Sequence, residues 1–282
     1  MRAKKRPLNR FICGFLVSPI ALILILSVSQ AFAESSYEGK SLALGFLYNQ
    51  STVNESLGEE GDLSTGASGF EASFIRTGKH GFIVVRYGIY AADWSEGDSS
   101  GAKGPDTTDQ IYNAGLEFSG GKKISDWGPE GAGAIYLGVK LGMGGRGYRS
   151  YIYRNQDLYS AFSFSTGLAM AMARSFGDRT HLLVEISAPV LSLTGYNHSV
   201  ENFQDGNGPS TMSVDYHDSF PGNFGHPGNL QAFAIRSSLD YDLYKRLFVS
   251  LGAQFEYSRD TRQVEVSFLT WGAFLRLGFT LI

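Results

Sequence analysis

From Leu42 onward, ten stretches of this chain alternate large apolar side chains with small or polar ones at every second position. This is the pleat period of a β-strand and not the 3.6-residue period of a helix. One parity runs through Leu42 to Tyr48, Phe70 to Phe74, Ile83 to Ile89, Tyr112 to Phe118 and Ile135 to Leu141. It continues through Phe162 to Met172, Leu182 to Ala188, Phe233 to Tyr241, Leu247 to Tyr257 and Leu269 to Leu281, and no charged residue falls in the set. The opposite parity is small and glycine-rich, and it carries Glu71, Arg86, Glu117, Lys140, Glu185, Arg236, Asp240, Glu256 and Arg276. The chain therefore reads as all-β and antiparallel, with about ten strands and with eight or twelve also allowed.

Two architectures place apolar residues on one face of every strand. A soluble sandwich buries that face as its core, whereas a transmembrane barrel turns it to lipid and lines its lumen with the other. A ten-strand barrel has little interior beyond what side chains fill, so so many large residues cannot all point inward. The small, glycine-rich face suits a crowded lumen better than a soluble surface, which carries more Lys, Glu and Thr. Connection lengths point the same way: short turns near 77–81, 175–180 and 242–246 and a medium stretch near 122–133 alternate with long polar segments at 49–66, 92–108, 145–159 and 195–228 and a shorter one at 258–263. Short turns on one side and long loops on the other mark an up-and-down transmembrane barrel with periplasmic turns. The sandwich is the rival reading.

Residues 1–33 have a different layout. Arg2, Lys4, Lys5, Arg6 and Arg10 precede an apolar stretch from Phe11 to Val28, and Ala31-Phe32-Ala33 follows. That is the pattern of a secretory signal peptide with a small-x-small cleavage site, and Pro19 within the run argues against a membrane anchor. The expected organisation is a leader over 1–33 and one barrel domain over 34–282. The only cysteine, Cys13, lies in the leader and is not followed or preceded by a lipid-attachment pattern, so no disulfide or thiolate chemistry is expected in the remainder. Removing five bases and no acid takes the formal charge from −3 to −8, which disfavours a nucleic-acid partner. The mean hydropathy of −0.10 argues only against a bundle of membrane helices.

On the residues just described, the chain over 40–282 resembles the bacterial outer-membrane β-barrel proteins. Its last stretch, Trp271 to Ile282, resembles the terminal strand that the barrel-insertion machinery recognises, although it ends in Ile282 and not in an aromatic residue. The resemblance implies a Gram-negative outer membrane, with lipid, lipopolysaccharide and the insertion machinery as partners. The surface partner or small solute stays open, and no cofactor or metal is expected.

Three features could carry chemistry. The nine charged lumen residues on facing walls are expected to pair, because unpaired charges in a narrow interior are costly; they form either a salt-bridged plug or the lining of a narrow pore. The segment 195–228 holds His198, His217 and His226, and Asp215-Tyr216-His217 has a spacing in which a carboxylate can orient an imidazole. Here the chain resembles the omptin proteases, ten-stranded barrels with an Asp-His pair in the fourth long loop and an Asp pair in the second. The leading expectation is a barrel without catalysis, with a structural, surface-interaction or narrow-pore role; as the alternative, this resemblance implies an endopeptidase using Asp215, His217 and Asp93, although Ala91-Ala92-Asp93-Trp94 supplies a single aspartate. Finally, Gly142 to Gly147 fits G-x-G-x-x-G, but no helix signal follows, so a phosphate-binding turn is rejected. The Tyr and Arg residues from Tyr148 to Arg154 are expected at the outer rim, facing lipopolysaccharide, and Arg146 falls in the long polar segment 145–159.

Overall fold

The computed structural model of the chain describes residues 39–55, 63–94, 109–127, 132–150, 156–201, 213–262 and 265–281. The expected leader lies outside the described residues. Eleven strands follow one another: β1 (Gly39–Glu55), β2 (Leu63–Thr77), β3 (Gly81–Trp94), β4 (Asp109–Trp127), β5 (Gly133–Ser150), β6 (Gln156–Phe176), β7 (Thr180–Glu201), β8 (Ser213–Gly225), β9 (Leu230–Tyr244), β10 (Leu247–Asp260) and β11 (Val266–Leu281). Each pairs antiparallel with its neighbours, and β1 pairs with β11 from Lys40↔Leu281 to Glu55↔Val266, which closes the sheet. β8 and β9 both run antiparallel to β7, β8 along its far half and β9 along its near half, so together they form one interrupted strand. The barrel is ten-stranded, and closure removes the edges that an open sheet would leave unpaired.

Alternation of exposure follows the alternation of sequence. Along β11, every second residue from Val266 to Gly278 is buried, and Leu269, Trp271, Leu275, Leu277 and Phe279 are exposed. Leu44, Phe46, Phe70, Leu137, Val139, Leu141, Leu168 and Leu251 join them in an apolar band around the outside. The tight turns use the backbone conformations such turns demand: Gly177 between β6 and β7 has φ 67°, and Lys245 between β9 and β10 has φ 22°.

The structure corrects the connection lengths. Strands run on through much of what composition assigned to loops: β1 to Glu55, β3 to Trp94, β5 to Ser150 and β7 to Glu201. The Pro- and Gly-containing stretch 213–225, expected to be loop, is β8. Ladder pairing with a long neighbouring strand outweighs the weak β-propensity of these residues. At the other end β4 extends to Trp127, so the β4–β5 connection is shorter than the sequence suggested.

The outward row makes a direct prediction. Leu251 is 62% exposed and lies between Leu239 and Leu275 on the neighbouring strands, both exposed. Replacing it with Arg should destabilise the protein in lipid vesicles by about 2–4 kcal/mol in urea titration, the usual effect of a cation near the bilayer midplane. On a water-facing surface the same change would stay within about 0.5 kcal/mol, and that outcome would remove the lipid-facing assignment.

Candidate functional site: the barrel lumen

The lumen is filled at three levels. Nearest the short turns, Ile75, Phe82, Val84, Tyr136, Ala171 and Leu183 form a buried apolar cluster from five strands. Tyr136 packs against Phe82 with ring centroids 5.5 Å apart, and its hydroxyl donates to the Gly78 carbonyl at 3.0 Å, tying the plug to the β2–β3 turn. The sequence reading missed this layer. Its signal is the loss of alternation in Phe82-Ile83-Val84-Val85, Ala134-Ile135-Tyr136-Leu137 and Leu182-Leu183-Val184, where both parities are apolar because both faces are dry.

Above it lies the charged layer. Arg86 on β3 reaches across to Glu185 on β7, with Nη1 donating to Oε2 at 3.0 Å. Glu71 on β2 pairs with Arg236 on β9 and with Arg276 on β11, the latter at 3.4 Å. Arg276 is only 1% exposed and also donates to Ser73 at 3.0 Å and Ser250 at 2.8 Å, with Asp240 at 3.8 Å. Lys140 pairs with Glu117 at 2.6 Å and donates to Ser187 at 3.3 Å. Arg236 donates to Gln254, which donates to Asn49, each bond at 2.7–2.8 Å. A charge in such an interior is tolerated when it is paired and hydrogen-bonded.

Phe274, packed with Leu47, Ala67 and Tyr90, lies against the guanidiniums of this layer, its ring centroid 4.2 Å from Arg236 Cζ and 4.6 Å from Arg276 Cζ. Glycines make the room. Gly252 stands opposite Phe274, Gly278 opposite Phe248 and Gly45 opposite Arg276, and a Cβ at each would run into the facing side chain. The glycine-rich parity is thus the complement of the large lumen residues on adjacent strands.

The third level lies toward the long connections. Arg146 on β5 crosses to Glu256 on β10 at 2.5 Å, donates to Ser258 at 2.7 Å and lies over the Phe268 ring. This corrects its expected place in a long loop over 145–159: Arg146 points into the lumen, because β5 continues to Ser150 and Arg146 shares the inward parity of Lys140. Tyr90 accepts a hydrogen bond from Asn113 at 2.8 Å nearby. Thus each of the nine charged residues picked out by parity has an ion-pair partner, and Arg146 is the tenth member.

The residues of the protease reading are placed only by their backbone. Asp215 and His217 lie on β8, opposite Ser199 and Asn197 of β7, and Asp93 lies on β3, opposite Gln110 of β4. Their side chains lie outside the described residues. His226 is exposed and accepts a hydrogen bond from the Gly228 amide at 3.0 Å. Among the described residues no three His, Cys, Asp or Glu side chains converge as a metal site.

A closed antiparallel barrel with an apolar outer band and a polar, ion-paired interior is now in place. The chain has the fold of an outer-membrane β-barrel. Solved structures similar to it include Neisserial surface protein A (12% identity, 83% of this chain and 95% of that one, TM-score 0.35). Others are the attachment invasion locus protein Ail of Yersinia pestis (11%, 84% and 98%, TM-score 0.34) and the translocator domain of the autotransporter NalP from Neisseria meningitidis (9%, 93% and 95%, TM-score 0.43). No protein-family profile matches the sequence, and no curated protein matches it.

Proposed function

We propose that this protein is an exported outer-membrane barrel that works as a closed platform and not as a diffusion channel, with its leader removed at Ala33. The observation that carries this reading is the triple filling of the lumen: an apolar plug, a lattice of ion pairs spanning opposite walls, and the Arg146–Glu256 bar above. Each layer joins strands from opposite sides of the ring, so a passing ion would have to break charge-assisted bonds worth roughly twice a neutral one. Interaction with surroundings then falls to the apolar band, which meets outer-membrane lipid, and to the long-connection end of β7 and β8, which meets lipopolysaccharide or a surface partner.

The test is conductance in planar bilayers. The unaltered protein is expected to give no steady current, and the double variant Arg86→Ser, Glu185→Ser is expected to show openings because it deletes a bar without leaving a lone charge. A steady ohmic current through the unaltered barrel would overturn the closed-platform reading.

A further inference from the structure

The wall of the barrel has one break. On β7, Ser187 faces Ala234 of β9, and the next pair is Ser192 with Gly225 of β8. Between them β7 has the four residues 188–191, whereas the descending strand has the eight residues 226–233. The excess is the turn from His226 to Asn229, closed by the Asn229 and Leu230 amides donating to the His226 carbonyl at 2.9 and 2.8 Å. Among the described residues no ladder pair joins 188–191 to 230–233. Pro189, without an amide hydrogen, lies in this interval, and the β6–β7 register also shifts there, between Thr166 and Gly167.

The break lies within the apolar band, flanked outside by exposed Val190, Leu191, Leu193, Phe224 and Phe233. Unladdered backbone at such a depth is tolerated only where it borders protein or a polar cavity. A cavity of about 180 Å³ does lie directly behind it, bordered by Pro189, Ser192, Thr194, Ala232 and Phe233. Thr194 is 2% exposed, lines this cavity, and its Oγ1 has no hydrogen-bond partner among the described residues. Ser163, Ser165 and Ser187 add hydroxyls to the same cavity. Its charges balance, with Glu117, Glu256 and Asp260 against Lys140, Arg146 and Arg262. Above the break Arg262 pairs with Asp260 at 2.6 Å and reaches Ser192 at 3.3 Å, a lintel over the opening.

We infer that the gap between β7 and β9 is a lateral portal through which a single-chain amphiphile places a small, uncharged hydroxyl- or carbonyl-bearing head in this cavity, its tail remaining in the lipid. The head class follows from the balanced charges and the hydroxyl lining. The size follows from a volume below the ~300–1,000 Å³ of pockets for drug-sized ligands. The tail follows from the apolar flanks. The inference goes beyond the closed-platform reading, since the portal opens sideways above the ion-pair layer and predicts no current.

Dodecyl maleimide is itself such an amphiphile and marks where its head goes. With Cys13→Ser as background, Thr194→Cys in lipid vesicles should react with it. Deleting His226 to Asn229 would make the β7 ladder continuous, because the excess is four residues and parity is preserved; labelling should then slow by an order of magnitude or more. A charged, water-soluble maleimide reporting an unchanged Thr194→Cys thiol, together with heat-modifiable gel migration, shows that the deletion variant is folded. The contrast can also be read without the deletion: Ser119→Cys, buried on the lumen side of β4, should stay unlabelled by the lipid-borne reagent, while lipid-facing Leu251→Cys labels. Equal labelling of Thr194→Cys and Ser119→Cys, an undiminished rate in a folded deletion variant, or no labelling of Thr194→Cys alongside reactive Leu251→Cys, would overturn the portal. A conducting barrel with a labelled portal would overturn the platform alone.

Discussion

Glu71→Gln is expected to lower the stability of the barrel by about 3–5 kcal/mol, the usual result of removing one partner from a buried ion pair. Glu71 is 4% exposed and is the carboxylate that both Arg236 and Arg276 reach. Without it Arg236 keeps, among the described residues, the neutral Gln254 as its side-chain acceptor, and Arg276 keeps Asp240 at 3.8 Å with two serine hydroxyls. Two guanidiniums beside the same Phe274 ring then have Asp240 as their neighbouring carboxylate, and it pairs with Arg276 and not with Arg236. Removing charge from both sides, as in Glu71→Leu with Arg236→Met, should recover most of the loss, because well-packed apolar side chains replace buried ion pairs at little cost. Urea titration in lipid vesicles measures both variants. A loss below about 1 kcal/mol for Glu71→Gln would mean that water solvates the arginines and the layer is not dry.

Phe274→Ala is expected to cost about 3–5 kcal/mol, the range for truncating a buried aromatic. The ring is 2% exposed, faces Leu47 and Gly252 across its two ladders, and supports two guanidiniums on its π-face. Gly252→Leu alone should cost about 1–3 kcal/mol by overpacking, since a side chain there collides with Phe274. In the Phe274→Ala background the same substitution fills the vacated space, so the double variant should be more stable than Phe274→Ala alone. Strict additivity of the two losses would show that Gly252 and Phe274 do not share one space. Phe279, on the lipid side of the same strand and 57% exposed, serves as the comparison, and Phe279→Ala should cost less.

Much of the lumen was readable in one dimension. Glu71, Arg86, Glu117, Lys140, Glu185, Arg236, Asp240, Glu256 and Arg276 stand out because a period of two separates the faces before any fold is known. Their pairing was not readable: Arg86 meets Glu185 and Glu71 meets Arg236 across the lumen, and those contacts depend on shear and register between strands far apart in the chain. Arg146 was misplaced because the glycines around it resemble a turn, whereas they are the small residues of a strand in a crowded wall. The stretch 213–225 belongs to the polar segment 195–228, whose composition indicates a long loop, and its place as half of a broken strand rests on the ladder with β7.

By itself, the sequence determined that this chain alternates at the strand period, that its uncharged row is too bulky to be enclosed, and that its charges share the other row. Local chemistry suffices for those statements, because side-chain direction in a strand follows from the covalent geometry of the backbone alone. Only the tertiary structure decided which charges meet, that apolar side chains gather inside the short-turn end, and that the ladder of β7 breaks between β8 and β9. Those depend on distances across a closed ring, where a four-residue excess in one strand alters what faces what in its neighbour while leaving the alternation on either side of it intact.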